Sequence, residues 1–182
     1  CGSGVMDAVA QLYLAGITDD RGRLTADHPR VRVDETGKRA FLLASSEETG
    51  SGEDIEFTQD DIRGIQLAKA AIRSGIDLLL EATGHEEADL TQVIIAGAFG
   101  NYIDLGSALA VGMLPDLPFS RFAQVGNAAG DGARLALLCS ERRAAAAEIA
   151  RRCTYLELAG APSFMKAFSR RINFRETRKI DV

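Results

Sequence analysis

The chain has 182 residues, a formal net charge of −5 and 46% hydrophobic residues, which is enough material for one domain with a real core. Its mildly acidic balance excludes the basic footprint of a nucleic-acid binder, and no apolar run is long enough to span a membrane. Cys1, Cys139 and Cys153 are odd in number and widely spaced, so they form no zinc set, cluster set or disulfide framework and suit a reducing cytoplasm.

The chain opens on Cys1-Gly2-Ser3-Gly4 without an initiator methionine, as expected of a fragment of a longer polypeptide. Val5 to Ala15 reads as an amphipathic helix with Val5, Met6, Val9, Leu12 and Tyr13 on one side and Gly16 ending it. Val31–Val33 and Phe41–Leu43 flank Asp34–Lys38, a turn with hairpin chemistry, and Ser45 to Asp54 is a polar surface loop. Thr58 and Asp61 form a capping box that opens the strongest helix. Its expected apolar stripe is Ile62, Ile65, Leu67, Ala68, Ile72, Ile76, Leu79 and Leu80, and Gly84 stops it. Gly64 and Gly75 inside that helix each cost about 1 kcal/mol of propensity relative to alanine.

A strand at Val93–Ala96 follows, then a short helix at Leu105–Val111 with Asp104 as its cap. Next come a strand at Phe122–Val125, a helix at Ala128–Cys139 and a second helix capped by Ser140. Tyr155–Leu158 reads as a late strand, and Pro162 starts a terminal helix. Strands and helices alternating at these lengths indicate an α/β layer architecture. The stretch from Arg170 onward is locally basic and reads as a solvated tail, and the arginines between Glu141 and Arg152 read as a wet helix face.

The functional signal lies at two strand ends. Val93–Ala96 breaks at Gly97-Ala98-Phe99-Gly100-Asn101, and Phe122–Val125 runs into Gly126-Asn127 ahead of Ala128-Ala129-Gly130-Asp131-Gly132. Glycine at a strand end lets a ligand approach the backbone where a Cβ would collide. Two such corners close in sequence predict neighbouring parallel strands whose carboxyl ends line one crevice, where open α/β sheets bind ligands. Gly2-Ser3-Gly4 is a third helix opening. Each opening offers backbone N–H groups and is worth only about 0.3–1 kcal/mol toward a charge, so convergence is needed to hold an anion or a purine–ribose unit.

Two common phosphate motifs are absent. Gly37-Lys38 is followed by Arg39 and not by a hydroxyl residue, and Gly2-Ser3-Gly4-Val5-Met6 is followed by Asp7 where a dinucleotide fingerprint needs Gly or Ala. Asp7 and Asp131 have two readings: carriers of water or of a magnesium ion's hydration shell, or first-turn carboxylates that stabilise their own helices. His28 and His85 are isolated, so no metal pair and no nucleophile–base couple can be assembled, and no catalytic residue is named. Phe99, at a corner between two glycines, is read as packing on a nucleobase or on a partner.

Four segments carry a family resemblance. They are Cys1-Gly2-Ser3-Gly4-Val5-Met6-Asp7-Ala8-Val9-Ala10, Thr58-Gln59-Asp60-Asp61-Ile62 with Ile65 to Ile72, Ala96-Gly97-Ala98-Phe99-Gly100-Asn101-Tyr102-Ile103-Asp104, and Val125-Gly126-Asn127-Ala128-Ala129-Gly130. In this order they resemble the reductive activators of corrinoid proteins. The resemblance implies a multi-domain protein with an N-terminal plant-type ferredoxin domain, a linker and middle region, and a C-terminal ATPase domain of the actin, sugar-kinase and heat-shock superfamily. Such proteins use ATP to return cob(II)alamin in a methyltransferase partner to cob(I)alamin.

On that resemblance the chain corresponds to the second lobe of the ATPase domain, a ribonuclease H-like, actin-like α/β lobe with a mixed sheet and helices on both faces. The lobe would be residues 1–169 with a hairpin and loop excursion at 28–57, and 170–182 would be the basic tail. Gly97, Ala98, Phe99, Gly100 and Asn101, with Gly126 and Asn127, would contact nucleotide. Gly2, Ser3, Gly4, Asp7, Gly130 and Asp131 would lie near the phosphates and the cleft. The first lobe, with the main phosphate loop and catalytic carboxylate, has no counterpart here.

The implied cofactor is ATP with Mg2+ in the full-length protein, with an iron–sulfur cluster only in the N-terminal domain. The isolated chain is expected to bind nucleotide weakly and to hydrolyse essentially none. The implied partners are a corrinoid protein or methyltransferase, the first ATPase lobe and, as a further option, a second copy of the chain, with no nucleic acid and no membrane. The alternative is a non-catalytic dimerisation or partner-binding module with the same fold. A small-molecule kinase is disfavoured because no sugar- or acid-binding residues can be picked out.

Overall fold

The longest helix, α2 (Gln59–Thr83), starts at a reciprocal cap: the Thr58 hydroxyl accepts from the Asp61 N–H at 3.2 Å, and the Asp61 carboxylate accepts from the Thr58 N–H at 2.8 Å. It ends at Gly84, whose φ of 68° is the left-handed backbone that closes a helix onto its own last carbonyls. The computed structural model describes residues 2–25, 27–158, 160 and 162–174. Before α2 come α1 (Gly2–Leu14) and strands β1 (Val31–Val33), β2 (Arg39–Ala44) and β3 (Ile55–Thr58). After it come β4 (Val93–Ile95), α3 (Ala98–Tyr102), α4 (Leu105–Ala110), β5 (Phe122–Gln124), α5 (Ala128–Leu138), α6 (Ser140–Arg152) and α7 (Pro162–Arg171).

The α/β class expected from the alternation is the class observed, and its strands are divided between two sheets. β1, β2 and β3 form an antiparallel sheet in which Phe41 stands opposite both Val31 and Phe57. Alternation places Phe41 and Phe57 on the buried face. The hairpin turn is held by the Asp34 carboxylate, which accepts from the N–H groups of Thr36 and Lys38 at 2.8 and 2.9 Å. β4 and β5 form a separate parallel pair, with Val93 beside Phe122, Ile94 beside Ala123 and Ile95 beside Gln124.

One core joins these parts. Met6, Val9, Leu12 and Tyr13 of α1 pack with Leu24, Phe41, Phe57, Ile62, Ile103, Val111, Met113 and Phe174. Each such large side chain contributes about 1.5–3 kcal/mol by leaving water. α7 packs along α2, and α1 packs on α4 and touches α3. By contrast, α5 and α6 pack on each other and hold no buried residue. Among the described residues no helix is long and apolar enough to cross a membrane.

Three expectations are corrected. Tyr155–Leu158 is not a strand: among the described residues it pairs with no other strand, and Leu158 instead packs where Gly75 leaves room on α2, 3.4 Å from the position of a Cβ there. The buried face of α2 is only in part the expected stripe: Ile62 is buried and Ile65 packs on the core, but Leu67, Ile72 and Leu79 are exposed while Gln66, Lys69, Arg73 and Leu78 are buried. The start of the basic stretch is packed and not solvated. Arg171 makes a two-pronged bond to Asp77 at 2.7 and 3.1 Å, and Phe174 is buried against Tyr13 with ring centroids 5.0 Å apart. The rest of that stretch, 175–182, lies outside the described residues.

Candidate functional site

β4 and β5 end side by side, and each ends in a glycine. The Gly97 N–H donates to the Gly126 carbonyl at 2.5 Å, and the Val125 N–H donates to the Ile95 carbonyl at 3.0 Å, so the ladder continues through both corners. Gly97 has φ 95° and Gly126 φ 60°, backbone that an L side chain adopts only under strain. Nothing lies within 4 Å of where a Cβ of Gly97 would stand, so that backbone faces open space. The two corners are therefore one structural unit.

Polar side chains brace the unit. Asn101 sits 3.1 Å from the position of a Gly126 Cβ, so the amide occupies the room the glycine leaves. Asn127 caps α5 by accepting from the Gly130 N–H at 3.0 Å. Gln124, at the end of β5, donates from one amide nitrogen to the carbonyls of Gly100 at 2.6 Å and Ile103 at 2.9 Å. Sequence reading gave Gln124 no role. A polar residue at the last position of a strand, beside a glycine corner, is the signal that marks it.

The Gly97–Asn101 corner was expected to lead into a helix only from Asp104; instead a short helix, α3, already begins at Ala98 and makes Phe99 and Gly100 helical. Gly100 lies under β4: a Cβ there would stand 2.9 Å from the Ile95 carbonyl oxygen. The readings of Ala98 and Phe99 as contact side chains fall on side chains outside the described set.

Gly2, Ser3 and Gly4 form the first turn of α1, with Ser3 buried and Gly4 facing open space. Asp7, one turn on, keeps its carboxylate oxygen Oδ1 buried without a hydrogen-bond partner. Asp131 points into solvent with its nearest cation, Arg134, 3.6 Å away, which is the geometry of a carboxylate serving its own helix. Among the described residues no three His, Cys, Asp or Glu side chains are grouped to hold a metal ion. A magnesium ion that arrives with nucleotide phosphates needs only one or two carboxylates and keeps its waters.

A second polar feature was missed. Gln66, Lys69, Arg73 and Ser74 of α2 are at most 3% exposed and form a buried polar row. The Lys69 ammonium donates to the Asn173 carbonyl and lies 5.7 Å from the Phe174 ring centre, while Arg73 pairs with Glu87 and, at 3.1 Å, with Asp77. Glu87 also accepts from the Asp116 N–H at 2.9 Å, and these groups border a cavity of about 220 Å³.

Burial, with smaller contributions from Arg171 and Arg73, lowers the Lys69 pKa to about 8. An unfolded lysine keeps its proton to about pH 10.4. Between these values the unfolded chain binds more protons, so stability rises as pH increases from about 8 to about 10.4. The expected gain is about 1–3 kcal/mol. Urea midpoints taken across that window check it, and Lys69→Met is expected to remove the slope.

Comparison with known proteins completes the picture. A family model described as the C-terminal domain of RACo, the ASKHA domain, matches residues 1–181. The chain is 42% identical over 176 residues to the corrinoid activation enzyme RamQ of Eubacterium limosum, a match that covers 92% of this chain and 30% of that protein. It superposes on a solved structure of a reductive activator for corrinoid, iron–sulfur protein with a TM-score of 0.85 at 39% identity, covering 96% of this chain and 28% of that one. The chain thus spans less than a third of the length of these relatives.

Proposed function

The chain belongs to the family of RACo C-terminal, ASKHA domains, and from that premise we propose that it is the nucleotide-binding lobe of an ATP-dependent reductive activator. The whole protein would restore cob(I)alamin in a corrinoid methyltransferase partner. The observation that carries the nucleotide reading is the joined pair of corners, where the Gly97 N–H meets the Gly126 carbonyl at 2.5 Å. A nucleoside can approach backbone there because Gly97 has open space where a Cβ would stand.

Gly97, Gly100, Asn101, Gly126 and Asn127 would hold the nucleoside, with the backbone of Ala98 and Phe99 beside it. The exposed N-terminus of α5, at Ala128 to Gly130, offers a partial positive charge to phosphate, and the orphaned Asp7 oxygen suits a hydrated Mg2+. Gly2 to Gly4 and Asp131 border the same assignment less directly. Bound ATP supplies the differential affinity that favours a closed arrangement of two lobes, and its hydrolysis releases that preference.

Two further features fit a lobe within a larger protein. Ile94, on β4, is 60% exposed, and Leu137 and Leu138 on α5 are 75% and 74% exposed, so both elements offer apolar surface to another lobe. The chain's three cysteines cannot supply the four thiolates of a ferredoxin cluster, so an iron–sulfur cluster of the full-length protein would be held by cysteines outside this chain. The same apolar surface supports the second reading, a dimerisation or partner-binding module.

Calorimetric titration with ATP and Mg2+ separates the readings. The full-length protein is expected to bind nucleotide and to re-reduce its corrinoid protein only when ATP is present, as followed by the cobalamin absorbance. This chain alone is expected to bind weakly and to turn over essentially none. Robust hydrolysis by the isolated chain, or re-reduction that ignores ATP, would falsify the proposal.

A further inference from the structure

An open groove of about 890 Å³ runs between the loop at Arg21–Arg23, the β1–β3 sheet and the first turns of α2. It is distinct from the β4–β5 corners. Six cations line it against the three carboxylates of Asp34, Glu56 and Asp60, and two further carboxylates, Asp19 and Asp54, pair with cations of the lining, which leaves a local excess of one positive charge in a chain of net −5. Half of those cations are committed: Arg23 pairs with Asp19, Arg32 with Asp54 and Glu56, and Arg39 donates to the Leu24 carbonyl. Arg21, Lys38 and Arg63 are exposed and make no ion pair among the described residues.

The groove is built and not incidental. Gln59 grips its loop wall from both sides, donating to the Gly22 carbonyl at 2.6 Å and accepting from the Leu24 N–H at 3.1 Å. Gly22 has φ 74°, and a Cβ there would stand 2.6 Å from the Gln66 amide nitrogen. Gln66 lines the groove, is 1% exposed, and that nitrogen has no hydrogen-bond acceptor. A buried donor without a partner costs about 1–3 kcal/mol, which an incoming oxygen recovers.

We propose that this groove is the docking site for an acidic segment of the corrinoid protein partner. The inference rests on the proposed function for the existence of that partner, and on the groove alone for its location. Free guanidinium and ammonium groups recognise carboxylate, the two arginines by paired N–H donors. Interspersed Asp34, Glu56 and Asp60 repel a compact polyphosphate but accommodate a polypeptide that presents carboxylates at spaced positions and its own cations between them. Complementary charge of this kind steers encounter, so the association is sensitive to salt.

The test uses the full-length activator and its own corrinoid protein, with affinity measured by calorimetry at low and high salt. The wild-type protein is expected to bind and to weaken as salt rises. The triple reversal Arg21→Glu, Lys38→Glu, Arg63→Glu is expected to bind roughly tenfold or more weakly and to lose most of the salt dependence, with ATP affinity unchanged. Should the reversals unfold the chain, Lys38→Gln and Arg63→Gln singly are each expected to weaken binding about threefold. A folded triple variant that binds the corrinoid protein like wild type overturns the groove while leaving the proposed function standing. A wild-type activator that binds no corrinoid protein overturns both. Weakening by inorganic triphosphate at matched ionic strength, with the triple variant insensitive to it, would reassign the groove to a phosphate ligand and overturn the docking proposal.

Discussion

Replacing Gly100 by valine is expected to abolish ATP binding by the full-length protein and to lower stability by about 2–4 kcal/mol. The new Cβ would stand 2.9 Å from the Ile95 carbonyl oxygen and 3.1 Å from its carbonyl carbon, and backbone in a ladder cannot step aside as a flexible side chain can. α3 must then lift from β4, which breaks the Gln124 bonds to Gly100 and Ile103 and misplaces Asn101 against Gly126. Gly97→Ala separates binding from folding: its Cβ meets nothing, so the cost is confined to the strain of φ 95°, about 1–2 kcal/mol. ATP affinity is expected to fall at least roughly tenfold in that variant because the methyl occupies the open approach. Urea denaturation and ATP calorimetry on both variants, with Gly50→Ala as a neutral comparison at an open position outside the proposed nucleotide site, check this. Unchanged ATP affinity in folded Gly97→Ala would remove the corner from the nucleotide site.

Phe174→Ala is expected to cost about 3 kcal/mol, the usual penalty for emptying a buried aromatic site. Its ring is 4% exposed and tilted against Tyr13, and its N–H donates to the Asp20 carbonyl at 2.7 Å. Residues 172–174 thereby strap across α2 and lay the Asn173 carbonyl on the Lys69 ammonium. Loosening the strap admits water to Lys69, so its pKa is expected to move back up toward the ordinary lysine value. The rise in stability between about pH 8 and about pH 10.4 should then shrink in Phe174→Ala, a readout that loss of packing alone would not produce. A midpoint that shifts by the same amount at both ends of that window would show that Phe174 and Lys69 act independently.

What could be read from the chain beforehand follows the range of the forces involved. Thr58, Asp61 and Gly84 cap α2 through contacts within three or four residues, and those positions were legible. The juxtaposition of the Gly97 and Gly126 corners was also legible, because two short strands joined by a helical crossover become parallel neighbours. The face that α2 buries was not. Lys69 is inside only because Asn173 and Phe174, some hundred residues later, come to cover it. Arg73 is inside because Glu87 and Asp77 meet its charge. Tyr155–Leu158 has strand-like residues, but propensity makes a strand only where another strand offers its edge. The basic groove was invisible for the same reason: Arg21, Lys38 and Arg63 are scattered in sequence and meet only when the hairpin folds over the start of α2.

The brevity of the β4–β5 ladder has a consequence of its own. Three residues of strand pairing, with Ile94 turned to water, make a thin reinforcement, so its amides should trade deuterium far sooner than those of α2. Whatever settles on that platform firms it up, and the isotope clock at Ile94 and Ile95 therefore reports occupancy without any hinge having to swing.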